Sequence, residues 1–263
     1  MTVQTQQVFR DFSAWYHFVC AIDTTQGTAS NRVKMYVNGT QITNFETASY
    51  PSQNFEFGFN DQNAETQIGS YSRLYLAEIH EIDGFAYDPS YFGETDAITG
   101  QWNPKKYVGS YGTNGFYLNF SDNSSTSALG TDSSGNSNNF TVTNLSVSAG
   151  AGNDSLEDAP TDNFCTLNSL DKMGTVTLSN GNLKAVINGD NASLVTGSLG
   201  VSSGKWYYEA VADTAGAGFV GWIRKDVSSY TGYPYQQAGS LIYFANGSLY
   251  LNGAGGQSYG TSY

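Results

Sequence analysis

An all-β fold is predicted for this chain by three features: its aromatic share, its glycine count, and short alternating runs separated by Asn-Gly turns. Aromatic residues make up 14% of 263 residues, led by 19 Tyr and 15 Phe, types that favour half-buried strands. The 30 Gly fall mostly between apolar runs, where turns need them. The spacing of these runs is the signature of a sandwich or barrel, followed by a second β unit. The first is assigned to residues 1–110, a connector to 111–155, and the second unit to 156–263.

The elements follow in order. "VFRDFSAWYHFVCAID" (8–23) carries an alternating apolar set around Trp15, read as core. "SNRVKMYVNGTQITNF" (30–45) predicts a two-residue type I′ hairpin, because Asn38 and Gly39 both accept positive φ. In that register Val37 faces Thr40, Met35 faces Ile42 and Val33 faces Asn44. "NFEFGFN" (54–60) puts Phe55, Phe57 and Phe59 on one strand face, "ETQIGSYS" reads as a further short strand, and "RLYLAEIHEIDGFAY" (73–87) is the longest strand candidate. "DPSYFGE" (88–94) reads as a helical turn capped by Asp88, with Pro89 at its first position.

From Thr95 to Gly115 the sequence is loop-like, "FYLNF" (116–120) and 140–144 read as strands, and "SVSAGAGNDSLEDAPTDN" (146–163) has a linker's bias, with a boundary placed near 155. Beyond it, "GTVTLSNGNLKAVI", "GKWYYEAVAD", "AGFVGWIRKD" and "SLIYFANGSLYLNG" read as strands joined by Asn-Gly turns.

Charge and composition narrow the function. A formal charge of −12 offers no cationic surface for a phosphate backbone, which sets nucleic acid aside. No run approaches the roughly 20 apolar residues of a membrane helix, so membrane insertion is not expected. Cys20 and Cys165 are read as two buried free thiols.

The order "WYHFVCAID", "VKMYVNGTQI", "IGSYS", "LAEIHEIDGFAYDPSYFGE" over residues 11–94 resembles the concanavalin A-like jelly-roll superfamily, in its laminin-G-like and pentraxin-like branch. The resemblance implies that Trp15 is core and that the Asn38-Gly39 hairpin is scaffold. "GKWYYEAVAD" and "GFVGWIRKD" are similar to the start of a SPRY domain, a protein-recognition sandwich, which implies core roles for Trp206, Tyr208 and Trp222. Together with the connector, the set is similar to phage tail or fibre-associated structural proteins. That likeness implies a virion or extracellular surface location and a larger chain or oligomer. Both ends depart from the families: strands are missing before "AWYH" and after "GQSYGTSY", as in a fragment of a longer polypeptide. "GFYLNFSDNSS" and "TDSSGNSNNFTVTN" resemble the opening segment of such jelly rolls, so 115–145 is expected to pair with the first sandwich.

The same superfamily contains glucan hydrolases, whose strand carries three carboxylates at i, i+2 and i+4. Here alternation puts Glu78, His80 and Ile82 on one face and Ile79, Glu81 and Asp83 on the other, so neither face carries three acids. Glu81 and Asp83 form a same-face pair with Cα atoms roughly 6.7 Å apart. The reading taken is a non-enzymatic binding module. Calcium is the candidate cofactor, at Asn60, Asp61, Asn63 and Glu65, with a second cluster at Asp132, Asn136 and Asn138. There is no His/Cys spacing for zinc.

Carbohydrate or cell-surface binding is expected from aromatic rings and amides on loops: Trp102, Tyr107 and Tyr111 with Asn60 and Asp61, and Tyr233 and Tyr235 in "SSYTGYPYQQ". The partners expected are a glycan or host cell-surface receptor, or other structural subunits. The alternative is a purely structural or protein–protein module; glycan hydrolysis ranks below both.

Overall fold

The computed structural model describes residues 1–11, 14–58, 66–69, 74–149, 152–188, 193–214, 218–224 and 233–262. Among them the regular structure is strands and short 3₁₀ turns, an all-β chain, and none of the helical segments is long and apolar enough to cross a membrane. The chain divides into two compact units, Met1–Phe164 and Cys165–Tyr263.

The first unit contains β1 (Thr2–Thr5), β2 (Phe18–Ile22), β3 (Val33–Val37), β4 (Thr40–Gln41), β5 (Phe45–Ser49), β6 (Ile79–Glu81), β7 (Gly93–Thr95), β8 (Trp102–Pro104) and β9 (Phe116–Leu118). All its pairings are antiparallel: β1 with β5, β2–β3–β4 as a three-stranded sheet, β6 with β9, and β7 with β8. The predicted hairpin forms in the expected register. Val37 lies opposite Thr40, Ile42 N–H donates to Met35 O, and Asn38 and Gly39 sit at φ +46° and +78°. Val33, Val37 and Ile42 are buried, as one face of that register requires.

The turn itself is clasped from outside. Asn38 N–H donates to His17 O (2.9 Å), and Asn38 Oδ1 accepts from His17 N–H (2.8 Å).

Several expected elements are shorter or absent. Of the strand read over 73–87, Ile79–Glu81 is regular: Glu78 adopts φ +51° and Gly84 φ +91°, which end the extended run on both sides. Residues 54–58 are irregular, since Asn54 turns at φ +57°; Phe55 and Phe57 meet edge to face instead of standing in a ladder. Residues 140–144 do not form a strand, and Phe140 N–H is taken by Gly130 O.

Conversely, the loop-like stretch after Thr95 hides a hairpin. β8 pairs with β7 across a loop in which Asp96 Oδ1 accepts from the N–H groups of Ile98 (2.9 Å) and Thr99 (2.6 Å). The Asp88 turn is present as expected: Pro89–Tyr91, with Asp88 Oδ1 accepting from Ser90 N–H at 2.8 Å.

Residues 116–118 pair with 79–81, the contact expected between 115–145 and the first segment. The linker-like run is tied to the first unit as well: Trp15 is half-buried and its Nε1–H donates to Asp158 Oδ2 at 3.0 Å.

The second unit contains β10 (Leu167–Met173), β11 (Val176–Ser179), β12 (Lys184–Ile187), β13 (Leu194–Gly197), β14 (Phe219–Trp222), β15 (Leu241–Phe244), β16 (Ser248–Leu251) and β17 (Gln257–Ser258). β10 pairs with β13, β11 with β12, and β14 to β17 form a four-stranded meander. The turn at Asn180 forms as expected, and at Asn246 the loop closes with Gly247 at φ +83°.

The expected strand over 204–213 does not form. Trp206, Tyr208 and Trp222, expected as core, lie exposed: among the described residues no strand pairs with 204–213, and Tyr208 packs edge to face on Trp222 of β14 (5.1 Å) at the surface. The two cysteines are free, but both are exposed rather than buried. Cys20 shares the outward face of β2 with Phe18, while Ala21 is turned inward.

Candidate functional site

The most developed side-chain cluster is built on the β6–β9 ribbon. The register sets Ile79 opposite Leu118, His80 opposite Tyr117 and Glu81 opposite Phe116. On one face the imidazole of His80 stacks on Tyr117 (centroids 4.2 Å, planes 9° apart) and lies near parallel to Tyr111 (6.0 Å, 13°). Its Nδ1 shares a 2.9 Å hydrogen bond with Tyr111 Oη. Tyr107 closes the cluster edge-on to Tyr111 (5.1 Å) and stacked on Phe92 (5.2 Å); it is buried, and its hydroxyl donates to Ser110 O at 2.8 Å.

Burial sets the electrostatics of this face. It pushes the His80 pKa down to about 4, with a smaller contribution from His17, so the imidazole is neutral at pH 7. Burial first, then the neighbouring Tyr117, Tyr107, Asp132 and Glu78, pushes the Tyr111 phenol up. Both partners of the bond are therefore neutral.

An outer layer continues from Tyr107 to the surface. Tyr87 lies 6.1 Å from Tyr107, stacks on Tyr91 (4.0 Å, 25°) and stacks on Phe85 (5.3 Å, 7°). Phe85 is 59% exposed and Tyr91 45%. The Asp88 cap and buried Pro89 fix the turn that brings Tyr91 back onto Tyr87. Sequence reasoning missed these three rings. The signal was present: Phe85 and Tyr87 stand at i, i+2 spacing after Gly84, followed directly by the capped turn.

The expected ligand residues separate. Tyr107 and Tyr111 come together as the base of the ring array. Trp102 lies elsewhere, with its indole packed against Gly39 and Gly93 and its Nε1–H donating to His17 Nδ1 at 3.0 Å. That geometry makes Trp102 half-buried scaffold.

In the second unit Tyr233 stacks on Tyr235 (5.3 Å, 17°), which rests against Phe244 and Tyr250 above buried Pro234. Asn60, Asp61, Asn63 and Glu65, the calcium candidates, lie outside the described residues.

The carboxylates are arranged as follows. Asp83 Oδ2 accepts from the backbone N–H and the Nδ2 of Asn114, both at 3.1 Å. Glu78 leaves the strand alternation through its positive φ, and burial raises its pKa. Burial, then the charge of Asp83, raises that of Glu81.

Asp132 is buried and accepts four hydrogen bonds, from the N–H groups of Tyr117, Ser134 and Asn138 and from Ser134 Oγ, at 2.8 to 2.9 Å. Asn136 Nδ2 donates to Gly112 O and Gly115 O, and Asn138 Nδ2 to Thr113 O and Gly115 O. This cluster, expected as a second calcium site, is instead a knot joining 112–118 to 132–138. Among the described residues no group of three or more His, Cys, Asp or Glu side chains is placed to hold a metal ion. No protein-family model matches the chain, and no significant match to it was found among curated proteins or solved structures.

Proposed function

We propose that this chain is a non-enzymatic carbohydrate-binding module, acting in adhesion at a cell surface or on a virion as part of a fibre-like protein. The observation that carries the reading is the stacked series Phe85, Tyr87 and Tyr91, exposed at its ends and braced from behind by buried Tyr107. Flat ring faces held rigidly at the surface offer the C–H faces of sugars an apolar platform at little entropic cost. The neutral His80–Tyr111 pair and the engaged Asp83 support binding over hydrolysis.

The architecture proposed is a laminin-G/concanavalin A-like jelly roll followed by a partial SPRY-like sandwich. The motif order, the β3–β4 hairpin and the β6–β9 pairing support the first; the β14–β17 meander supports the second. A glycan array probed with and without chelator tests the function. Binding is expected, and it should be lost in Tyr91→Ala and Tyr87→Ala. Loss on chelation would move the site to the Asn60 and Asp61 cluster.

A second reading, a protein–protein module without sugar binding, is favoured by one observation. In the second unit Trp206 is 62%, Tyr207 81% and Val211 90% exposed. Array silence from the folded chain would favour it.

A further inference from the structure

The β6–β9 ribbon has a second face. Alternation turns Glu81 and its register partner Phe116 away from His80 and Tyr117. On that side lies an open hollow of about 260 Å³, lined by Thr66, Glu81, Asn114, Asn138, Asn139 and the edge-to-face ring pair Phe116 and Phe140; Thr66 is already engaged in an interaction of its own.

The lining groups have valences to spare. No hydrogen bond from a described residue reaches the half-buried Glu81 carboxylate, and its pKa is raised by burial and by Asp83. Asn138 uses its Nδ2 on Thr113 O and Gly115 O, which leaves Oδ1 as an acceptor. Asn114 uses its Nδ2 on Asp83 and likewise keeps Oδ1. Asn139 does the reverse: its Oδ1 accepts from Asp132 N–H at 2.9 Å, which leaves Nδ2 to donate.

Three acceptors, one amide donor and an apolar wall define a ligand. An anion is repelled by Glu81. Calcium takes about 6–8 oxygens, usually with several carboxylates, and the hollow offers one, since Asp83 is held by Asn114. A molecule with adjacent hydroxyl donors and a C–H face fits the set. At about 260 Å³ the hollow falls below the roughly 300–1,000 Å³ of drug-sized sites, which suits one ring rather than a chain.

We propose that the hollow around Glu81 is a monosaccharide subsite for a neutral pyranose. In it Glu81 and Asn138 Oδ1 accept from neighbouring hydroxyls, Asn139 Nδ2 donates to a ring substituent, and Phe140 takes the C–H face. The proposal rests on the carbohydrate reading above but uses a different face of the ribbon, so the two fail separately.

Saturation-transfer NMR on the full chain with the methyl glycosides of glucose, galactose, mannose and N-acetylglucosamine tests it. At least one is expected to show transfer, with its Kd raised about tenfold or more by Glu81→Gln and by Asn139→Asp. Glu81→Gln keeps the shape, and Asn139→Asp keeps the acceptor for Asp132 N–H, so both should fold. Tyr91→Ala should leave this signal unchanged. No transfer from any glycoside, or transfer that survives both variants, overturns the subsite. Array binding lost in Tyr91→Ala without glycoside transfer overturns the subsite alone. Array silence with Glu81-dependent transfer overturns the ring platform alone.

Discussion

The indole of Trp102 packs directly on Gly39: a Cβ built on that glycine would stand 2.4 Å from Cζ3, and one built on Gly93 would stand 2.5 Å from Cε2. The ring thus sits on two glycines, one in the β3–β4 turn and one in β7. Its Nε1–H reaches His17, whose backbone is clasped by Asn38. The Asn-Gly hairpin is therefore scaffold, held by its own turn geometry and by a residue 63 positions downstream.

Gly39→Ala should then lose stability for two separable reasons. The backbone term, from φ +78°, is about 1–2 kcal/mol; the collision with Trp102 adds to it. In a Trp102→Ala background only the backbone term should remain. Urea midpoints of the four proteins in this cycle give the coupling, and equal costs in both backgrounds would show that the indole does not constrain the turn.

Acid should weaken the first unit through His80. Its folded pKa of about 4 lies below the ordinary 6.5, so between those values the unfolded chain takes up a proton that the folded chain refuses. Stability contributed here falls as pH drops through that window and stops falling below about 4. Glu78 and Glu81 act in the opposite sense, because burial raises their pKa and the folded state takes their protons first. The difference between wild type and His80→Phe, which keeps the stacking on Tyr117, isolates the imidazole. The wild type should lose more stability between pH 7 and 4.5 than the variant does.

Asp132 should prove the costliest single polar position in the first unit. Asp132→Ala strands three backbone N–H donors in a buried turn, a loss of about 2–4 kcal/mol; Asp132→Asn, which keeps one acceptor, should cost less. Burial alone would raise this carboxyl's pKa, but its hydrogen bonds from Tyr117, Ser134 and Asn138 prevail and hold it below the usual 3.8. Its contribution is complete above the unfolded value and is lost as pH falls through the folded one. Denaturant midpoints at pH 7 and near pH 3 for wild type and Asp132→Asn check both the size and the sign.

What the sequence revealed was local. Asn38-Gly39 and the Asp88-Pro89 cap are read correctly because each is set by the preferred φ of its own residues and a hydrogen bond within three positions. Alternation, by contrast, reports which faces a segment would have, not whether a partner strand arrives. So 204–213 looks like a strand and is not one, and 73–87 shrinks to three residues once Glu78 turns at positive φ. The seat of Trp102 on Gly39 and Gly93 depends on tertiary approach that no spacing encodes. The hollow at Glu81 joins residues from 81 and from 114–140, a juxtaposition created by the β6–β9 pairing.

The four tryptophans offer a direct check of the corrected second unit. Trp206 is 62% exposed, with its Nε1–H donating to Ser203 O, whereas Trp102 is packed on two glycines and bonded to His17. A chain keeping Trp206 alone should show red-shifted emission and strong acrylamide quenching. A chain keeping Trp102 alone should emit further to the blue and resist quencher. If Trp206 were instead the buried core residue that its SPRY-like motif implies, the order would reverse. The 204–213 segment would then have to be a paired strand, and backbone amide exchange there would be slow. Fast exchange across 205–211, together with strong quenching of Trp206, is the outcome expected from a segment that pairs with no strand among the described residues.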